Sequence, residues 1–154
     1  MSQALKMITE AWDVYYHPAI AMDDNLLPAD TCGKWMYFFL EEERSCIEDI
    51  CTRAVESGAT YEAKMSTPYH MMVYGGDTGV ACFYIDGSSD EAHQALLSFM
   101  LEENLFPYDE DGCLKDVDFK FDWQTREGMY DEDSGYIPQI TLSDYVDLTT
   151  GELL

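Results

Sequence analysis

Four cations stand where chemistry is possible. Lys34, Lys64 and Lys120 lie in segments that read as strands, and Arg126 closely follows the last of them. The chain has 8 Lys plus Arg against 31 Asp plus Glu, a net charge of −23, so the place of each cation carries information. Side chains alternate faces along a strand. Lys34 therefore shares a face with Met36 and Phe38, Lys64 with Glu62 and Ser66, and Lys120 with Asp118 and Asp122. If these faces form one side of one sheet, the lysines make a cradle for a phosphate, a nucleotide or a carboxylate. The same spacing sets Glu62, Asp118 and Asp122 beside them, and mutual neutralisation is the stronger reading.

Other candidates are weaker. Gly75-Gly76-Asp77-Thr78-Gly79 has the glycine density of a phosphate loop, but such a loop leads into a helix N-terminus and usually carries a lysine. A strand-like run follows here and no lysine is present, so the segment reads as a hairpin connection. Cys32, Cys46, Cys51, Cys82 and Cys113 include no CxxC pair. A zinc site would have to gather them with His17, His70 or His93 from distant segments, and no metal or other cofactor is expected. Neither a GxSxG elbow nor an HExxH helix occurs. His70, beside an apolar run, reads as a hairpin residue before a general base. Trp12 and Trp35 read as core. Trp123, at a strand end, is open between core and a stacking platform.

The carboxylates define a second kind of site. They are densest after residue 101, where Asp109-Glu110-Asp111 and Asp131-Glu132-Asp133 form two runs. Binding to phosphates by counterion release requires Lys and Arg. The chain is therefore a poor direct binder of nucleic acid or of an anionic membrane; acidity that merely serves solubility is the commoner reading, and a basic protein is the partner such a charge attracts. An odd number of cysteines and a polar N-terminus unlike a signal peptide point to the cytoplasm. No run of about 18 apolar residues is present to span a membrane.

These residues need a scaffold. With 154 residues, 47% of them apolar and 14% aromatic, the chain is expected to be a single domain with an ordinary core. Residues 131–154 are expected to form an acidic C-terminal extension. Ala4, Leu5, Ile8, Ala11, Trp12 and Tyr15 recur at helical spacing behind Ser2, which predicts a first helix stopped by His17-Pro18. Lys34 to Leu40 predicts a strand covered on both faces. Glu41-Glu42-Glu43 suit a helix N-terminus, and Ile47, Ile50, Cys51, Ala54 and Val55 form an apolar stripe as far as Ser57-Gly58. A strand is predicted over Tyr61 to Thr67, then a hairpin of His70 to Tyr74 with Val80 to Asp86. Ser88 to Glu91 has the form of a capping box before the stripe Ala92, Ala95, Leu96, Phe99 and Met100. Val117 to Trp123 alternates as a strand, and Tyr136 to Leu142 predicts a short edge strand. The order α-β-α-β-β-β-α-β implies an α+β fold, a curved and mainly antiparallel sheet with helices packed on one face.

Four motifs fall in a familiar order: Gly33-Lys-Trp-Met36, Ala63-Lys-Met-Ser-Thr67, Val80-Ala-Cys-Phe-Tyr-Ile-Asp86, and Phe119-Lys-Phe-Asp-Trp-Gln-Thr-Arg-Glu-Gly-Met-Tyr130. Over roughly residues 30–131 the chain resembles the family of the basophilic leukaemia-expressed protein and its bacterial relatives, some of them labelled phosphothreonine lyase. The resemblance implies a fold like the cap-binding translation initiation factor 4E, a curved antiparallel sheet with helices on its convex side. It implies little about activity, since fold does not fix function. Were the lyase label to hold, Lys34, Lys64, Lys120 and Arg126 would bind phosphate and abstract a proton, with a histidine as acid. No histidine stands inside these motifs.

The expected function therefore rests on charge. The leading expectation is a non-enzymatic intracellular protein that binds a basic partner. It would act as a nucleic-acid mimic and inhibitor, in the manner of phage anti-CRISPR proteins, through Asp109, Glu110, Asp111, Asp131, Glu132 and Asp133. The alternative is phosphate or nucleotide binding, or phosphothreonine-lyase-like chemistry, on Lys34, Lys64, Lys120 and Arg126.

Overall fold

The computed structural model describes residues 3–23, 25–126 and 139–154. The fold is α+β, and among the described residues seven antiparallel strands form one open, curved sheet. In chain order the elements are β1 (Leu5–Ile8), β2 (Trp12–Tyr16), β3 (Cys32–Leu40), α1 (Arg44–Glu56) and β4 (Glu62–Ser66). Next come α2 (Pro68–His70), which runs on as a π turn over Met71–Gly75, then β5 (Thr78–Asp86) and α3 (Asp90–Glu102). Last are β6 (Asp118–Phe121), α4 (Asp122–Arg126) and β7 (Ile140–Thr141). The strands lie in the order β1-β2-β4-β5-β3-β6-β7.

The centre is the pair β3 and β5, in register from Cys32 opposite Asp86 to Leu40 opposite Thr78. Alternation sends Trp35 and Phe39 of β3, and Ala81, Phe83 and Ile85 of β5, into the main core. The stripe Ile47, Ile50, Cys51, Ala54 and Val55 of α1 covers them, as does the face His93, Leu96, Leu97 and Met100 of α3. Each such apolar side chain contributes about 1.5–3 kcal/mol when fully buried. Close approach of rings to the backbone needs glycine, as Gly33 and Gly79 illustrate. A Cβ on Gly33 would stand 2.5 Å from the Phe119 ring, and one on Gly79 would stand 2.6 Å from the Phe39 ring.

One polar chain crosses this core. The Trp35 indole N–H donates to His93 Nδ1 at 3.0 Å. An indole can only donate, so Nδ1 accepts and the ring's proton sits on Nε2, which donates to the Gly87 carbonyl at 2.9 Å. The imidazole is thus neutral. It is stacked on Tyr145, with ring centroids 4.6 Å apart, and the Tyr145 hydroxyl donates to Asp90 at 2.7 Å.

Several expectations are corrected. The first helix is a hairpin, β1 with β2, pairing Leu5 with Tyr16 and Ile8 with Asp13. Its helical spacing was coincidental, because Val14 and Tyr15 are both buried on opposite faces of β2 and erase the alternation that marks a half-buried strand. Trp12 is consequently half-buried on the sheet's outer face, not core. The hairpin expected around Gly75–Gly79 is absent. Thr67 caps α2 by accepting from the His70 N–H at 3.1 Å, Pro68 opens the helix, and β4 takes the place of antiparallel partner to β5. Ser89, not Ser88, caps α3 by accepting from Ala92. The strand expected over Val117 to Trp123 stops at Phe121 and turns into α4. β3 is covered on both faces only in part, since Phe38 is 59% exposed. Of the expected edge strand, residues 136–138 lie outside the described residues, and Ile140–Thr141 pairs with β6. Beyond it the chain folds back on the body, with Leu142 and Val146 buried. Among the described residues no helix is long and apolar enough to cross a membrane.

Two outcomes follow. Gly33→Ala should cost about 1–3 kcal/mol in urea unfolding, the usual cost of overpacking; an unchanged midpoint would contradict the close Phe119 contact. Burial lowers the His93 pKa, against the Gly87 hydrogen bond and the carboxylates of Asp90, Asp86 and Asp144. Between this lowered value and the ordinary 6.5 the unfolded chain binds more protons, so this contribution to stability is complete above 6.5 and is lost as pH falls. NMR titration should find the imidazole neutral, with the proton on Nε2, well below pH 6.5; protonation at or above that pH would contradict it.

Candidate functional site

Strand register decides whether the three lysines meet. Lys34 is directly opposite Lys120 on β6 and opposite Tyr84 on β5. Tyr84 is opposite Glu62, which is opposite Tyr16. The neighbouring row runs Val14, Lys64, Cys82, Met36. All three lysines therefore stand on one face, opposite the face that carries α1 and α3. Arg126 ends α4, and its side chain lies outside what the structure describes.

The face is neither open nor simply cationic. Cys32, Cys82 and Tyr84 form a second small core on it, with Leu27, Met36 and Val80 packed alongside. Lys34 reaches Asp122 at 3.4 Å, with its side chain only 12% exposed. The Lys64 ammonium sits 4.0 Å from the centre of the Trp12 ring and 5.6 Å from that of Tyr84. A cation over a tryptophan face contributes about 0.5–2 kcal/mol, more as water is excluded. Burial lowers the Lys120 pKa; Asp118 opposes the shift and the neighbouring Lys34 adds to it. Burial raises the Glu62 pKa, with Lys64 opposing and Asp122 reinforcing. Three lysines thus share the face with Glu62, Asp118 and Asp122.

Among the described residues, nucleophiles and metal ligands are not assembled. Burial, followed by Asp122, pushes the Cys32 thiol up to about 12, and burial pushes Cys82 up to about 11. Both are protonated and inert as nucleophiles. His17 caps the turn Pro18–Ala21 by accepting from the Ala19 N–H. His93 is committed in the core. His70 touches Trp12 and Tyr74, with ring centroids 4.3 and 5.0 Å apart, and burial lowers its pKa. Among the described residues no group of three or more His, Cys, Asp or Glu side chains is placed to hold a metal.

The acidic candidates divide. Asp109, itself exposed, accepts from the backbone N–H groups of Asp111 and Cys113 at 2.9 and 3.0 Å, which ties up its carboxylate in building its own loop. Glu110 and Asp111 are exposed on that loop. Asp131, Glu132 and Asp133 lie outside the described residues. What sequence reasoning missed is an exposed apolar set at one end of the outer face: Phe38, Leu40, Met72, Val73 and Tyr74. The signal available for it was Thr67-Pro68, a helix start that leaves the apolar run behind it outside the sheet.

The chain matches no protein-family model, no curated protein and no solved structure. What it can do has to be read from its own side chains.

The raised Glu62 pKa gives a signed expectation. The folded state holds this proton more tightly than the unfolded chain, so stability falls as pH rises from the ordinary 4.5 through the raised value. Above that window the charged group is a net cost. Glu62→Gln should be at least as stable as the native chain at pH 7, with the advantage gone below pH 4.5. A Gln variant about 1 kcal/mol less stable at pH 7 would instead mean that the attraction of the nearby Lys64 charge outweighs burial.

Proposed function

We propose that this protein binds a basic protein partner through its carboxylate surface, as a nucleic-acid mimic and inhibitor in the manner of anti-CRISPR proteins. The observation that carries the reading is the partition of charge. Lys34, Lys64 and Lys120 are drawn onto the sheet among carboxylates and rings. Arg44 is clamped by Glu41 at 2.7 and 2.8 Å and donates to the Ser66 carbonyl at 2.9 Å. Arg53 pairs with Asp49 and Glu103. Among the described cations only Lys6, Arg53 and Lys115 are exposed, whereas exposed carboxylates recur from Glu10 through Glu41, Glu42, Asp77, Asp90, Glu91, Glu110 and Asp111 to Glu152. A surface of one sign attracts and orients an oppositely charged partner and raises its association rate.

A second reading places a phosphate or nucleotide ligand, or lyase-like chemistry, on the lysine face. The adjacent Trp12 and Tyr84 rings favour it. The carboxylates of Glu62, Asp118 and Asp122 oppose an anion there, and the reading ranks below the first.

The test is binding to a panel of purified DNA-binding proteins, with duplex DNA as competitor. The proposal expects at least one to bind, displaced by DNA and weakened as salt rises from about 50 to 300 mM, where screening shortens the reach of surface charge. Reversing Glu110, Asp111, Asp131, Glu132 and Asp133 to Lys should abolish it. No binding at low salt, or binding untouched by charge reversal, would overturn the proposal.

A further inference from the structure

The outer face changes character along β3. Lys34 is followed on the same side by Met36, Phe38 and Leu40, with Phe38 opposite Val80 and Leu40 opposite Thr78. Phe38 is the shared wall of two cavities. One is closed by His70, Tyr74 and Val80. The other runs past Met36 to Pro107, Tyr108 and Val117. Beside them the π turn holds Met72 and Tyr74 outward, 73% and 76% exposed. A third hollow lies between Leu40, Met71 and Met72. Single exposed apolar residues are ordinary, but a contiguous band with a polar rim marks an interaction surface. Unbranched Met side chains adapt to the shape laid against them.

The rim fixes the chemistry of what lies there. Glu41, Glu42 and Asp77 line the hollow at one end. At the other, Tyr108 leads directly into Asp109-Glu110-Asp111, and Asp116 and Asp118 line the second cavity together with Lys120, so carboxylates outnumber the one cation there. An apolar floor between two carboxylate banks matches a segment with an apolar stripe and flanking Lys or Arg. A second copy of this chain would bring like-charged banks together, and their repulsion disfavours it.

We infer that this band, with Phe38 as its central ridge, seats a cationic amphipathic helix of the partner protein. The inference rests on the proposed reading of the acidic surface and says where the partner docks. Apolar anchors enter the cavities on either side of Phe38, in the helix-in-groove manner, and the carboxylate banks fix its register.

The probe is a synthetic helix-forming peptide with a Leu/Trp stripe and Lys on its remaining face. It is compared by fluorescence anisotropy with a scrambled peptide of the same composition. The amphipathic peptide should bind the full chain at least about tenfold more tightly, a difference of about 1.4 kcal/mol. Phe38→Asp and Met72→Asp should each reduce it to the level of the scrambled peptide. Circular dichroism and thermal melting report folding, and Met72→Asp, at the more exposed position, carries the test if Phe38→Asp does not fold. Equal affinity for the two peptides, or variants that bind as the native chain does, would overturn the docking band while the acidic-surface reading stands. Failure of both Lys-rich peptides to bind at low salt would overturn both.

Discussion

The hydrogen bond from Trp35 to His93 is the constraint around which this structure is arranged. It joins the central strand β3 to α3 across a core that excludes water, where a donor left without an acceptor costs about 1–3 kcal/mol. The indole can give only its proton, so the imidazole has to stay neutral and turn Nε2–H toward Gly87. That fixes the turn between β5 and α3. It also brings Phe119 of β6 edge-on to His93 at 4.7 Å and Tyr145 flat against it. Strand, helix, turn and C-terminal segment are thereby held at one point, and the sheet's inner face is closed.

With the inner face closed, function is left to the outer face and the rim. The lysines that looked suited to ligand chemistry do gather there, but in company. Lys34 has Asp122, Lys64 has the Trp12 ring with Glu62 near it, and Lys120 lies against Asp118 and Lys34. Placing scarce cations on the sheet leaves the net charge of −23 to be expressed almost wholly by exposed carboxylates. Charge and apolar exposure then meet at one end of the outer face, where the strand residues Phe38 and Leu40 adjoin the π turn. Such turns recur where a helix is under local constraint at functional positions. There Arg44 is locked to Glu41 and Ser66 beneath the apolar residues, which gives the turn a rigid base.

Much of this was legible in the sequence where one period dominated. The α1 stripe appears in the core as read, and the face shared by Lys34, Met36 and Phe38 follows from alternation alone. The failures share a physical cause. β2 is covered on both sides, by Tyr15 inward and Val14 outward, so its period of two vanished and a chance helical spacing took its place. Tyr69 to Tyr74 has strand-like composition, yet Thr67 and Pro68 start a helix there, and local capping prevailed over side-chain preference. The pairing of Lys34 with Asp122 depends on β6 ending at Phe121, a boundary that periodicity does not set. The docking band was illegible for a different reason: it is assembled from β3, the π turn and the loop at Pro107, whose proximity only the sheet order creates.

On the proposed reading, the acidic, Phe38-centred end of the outer face receives a basic partner. Hydrogen–deuterium exchange on the full chain, alone and with a bound basic protein, tests it most directly. New protection is expected in the segment 68–77, in the end of β3 from Phe38 with the turn that follows it to Glu42, and in the loop 107–113. Protection confined to β1, β2 and the rows around Lys34 and Lys64, with those three segments unchanged, would contradict it.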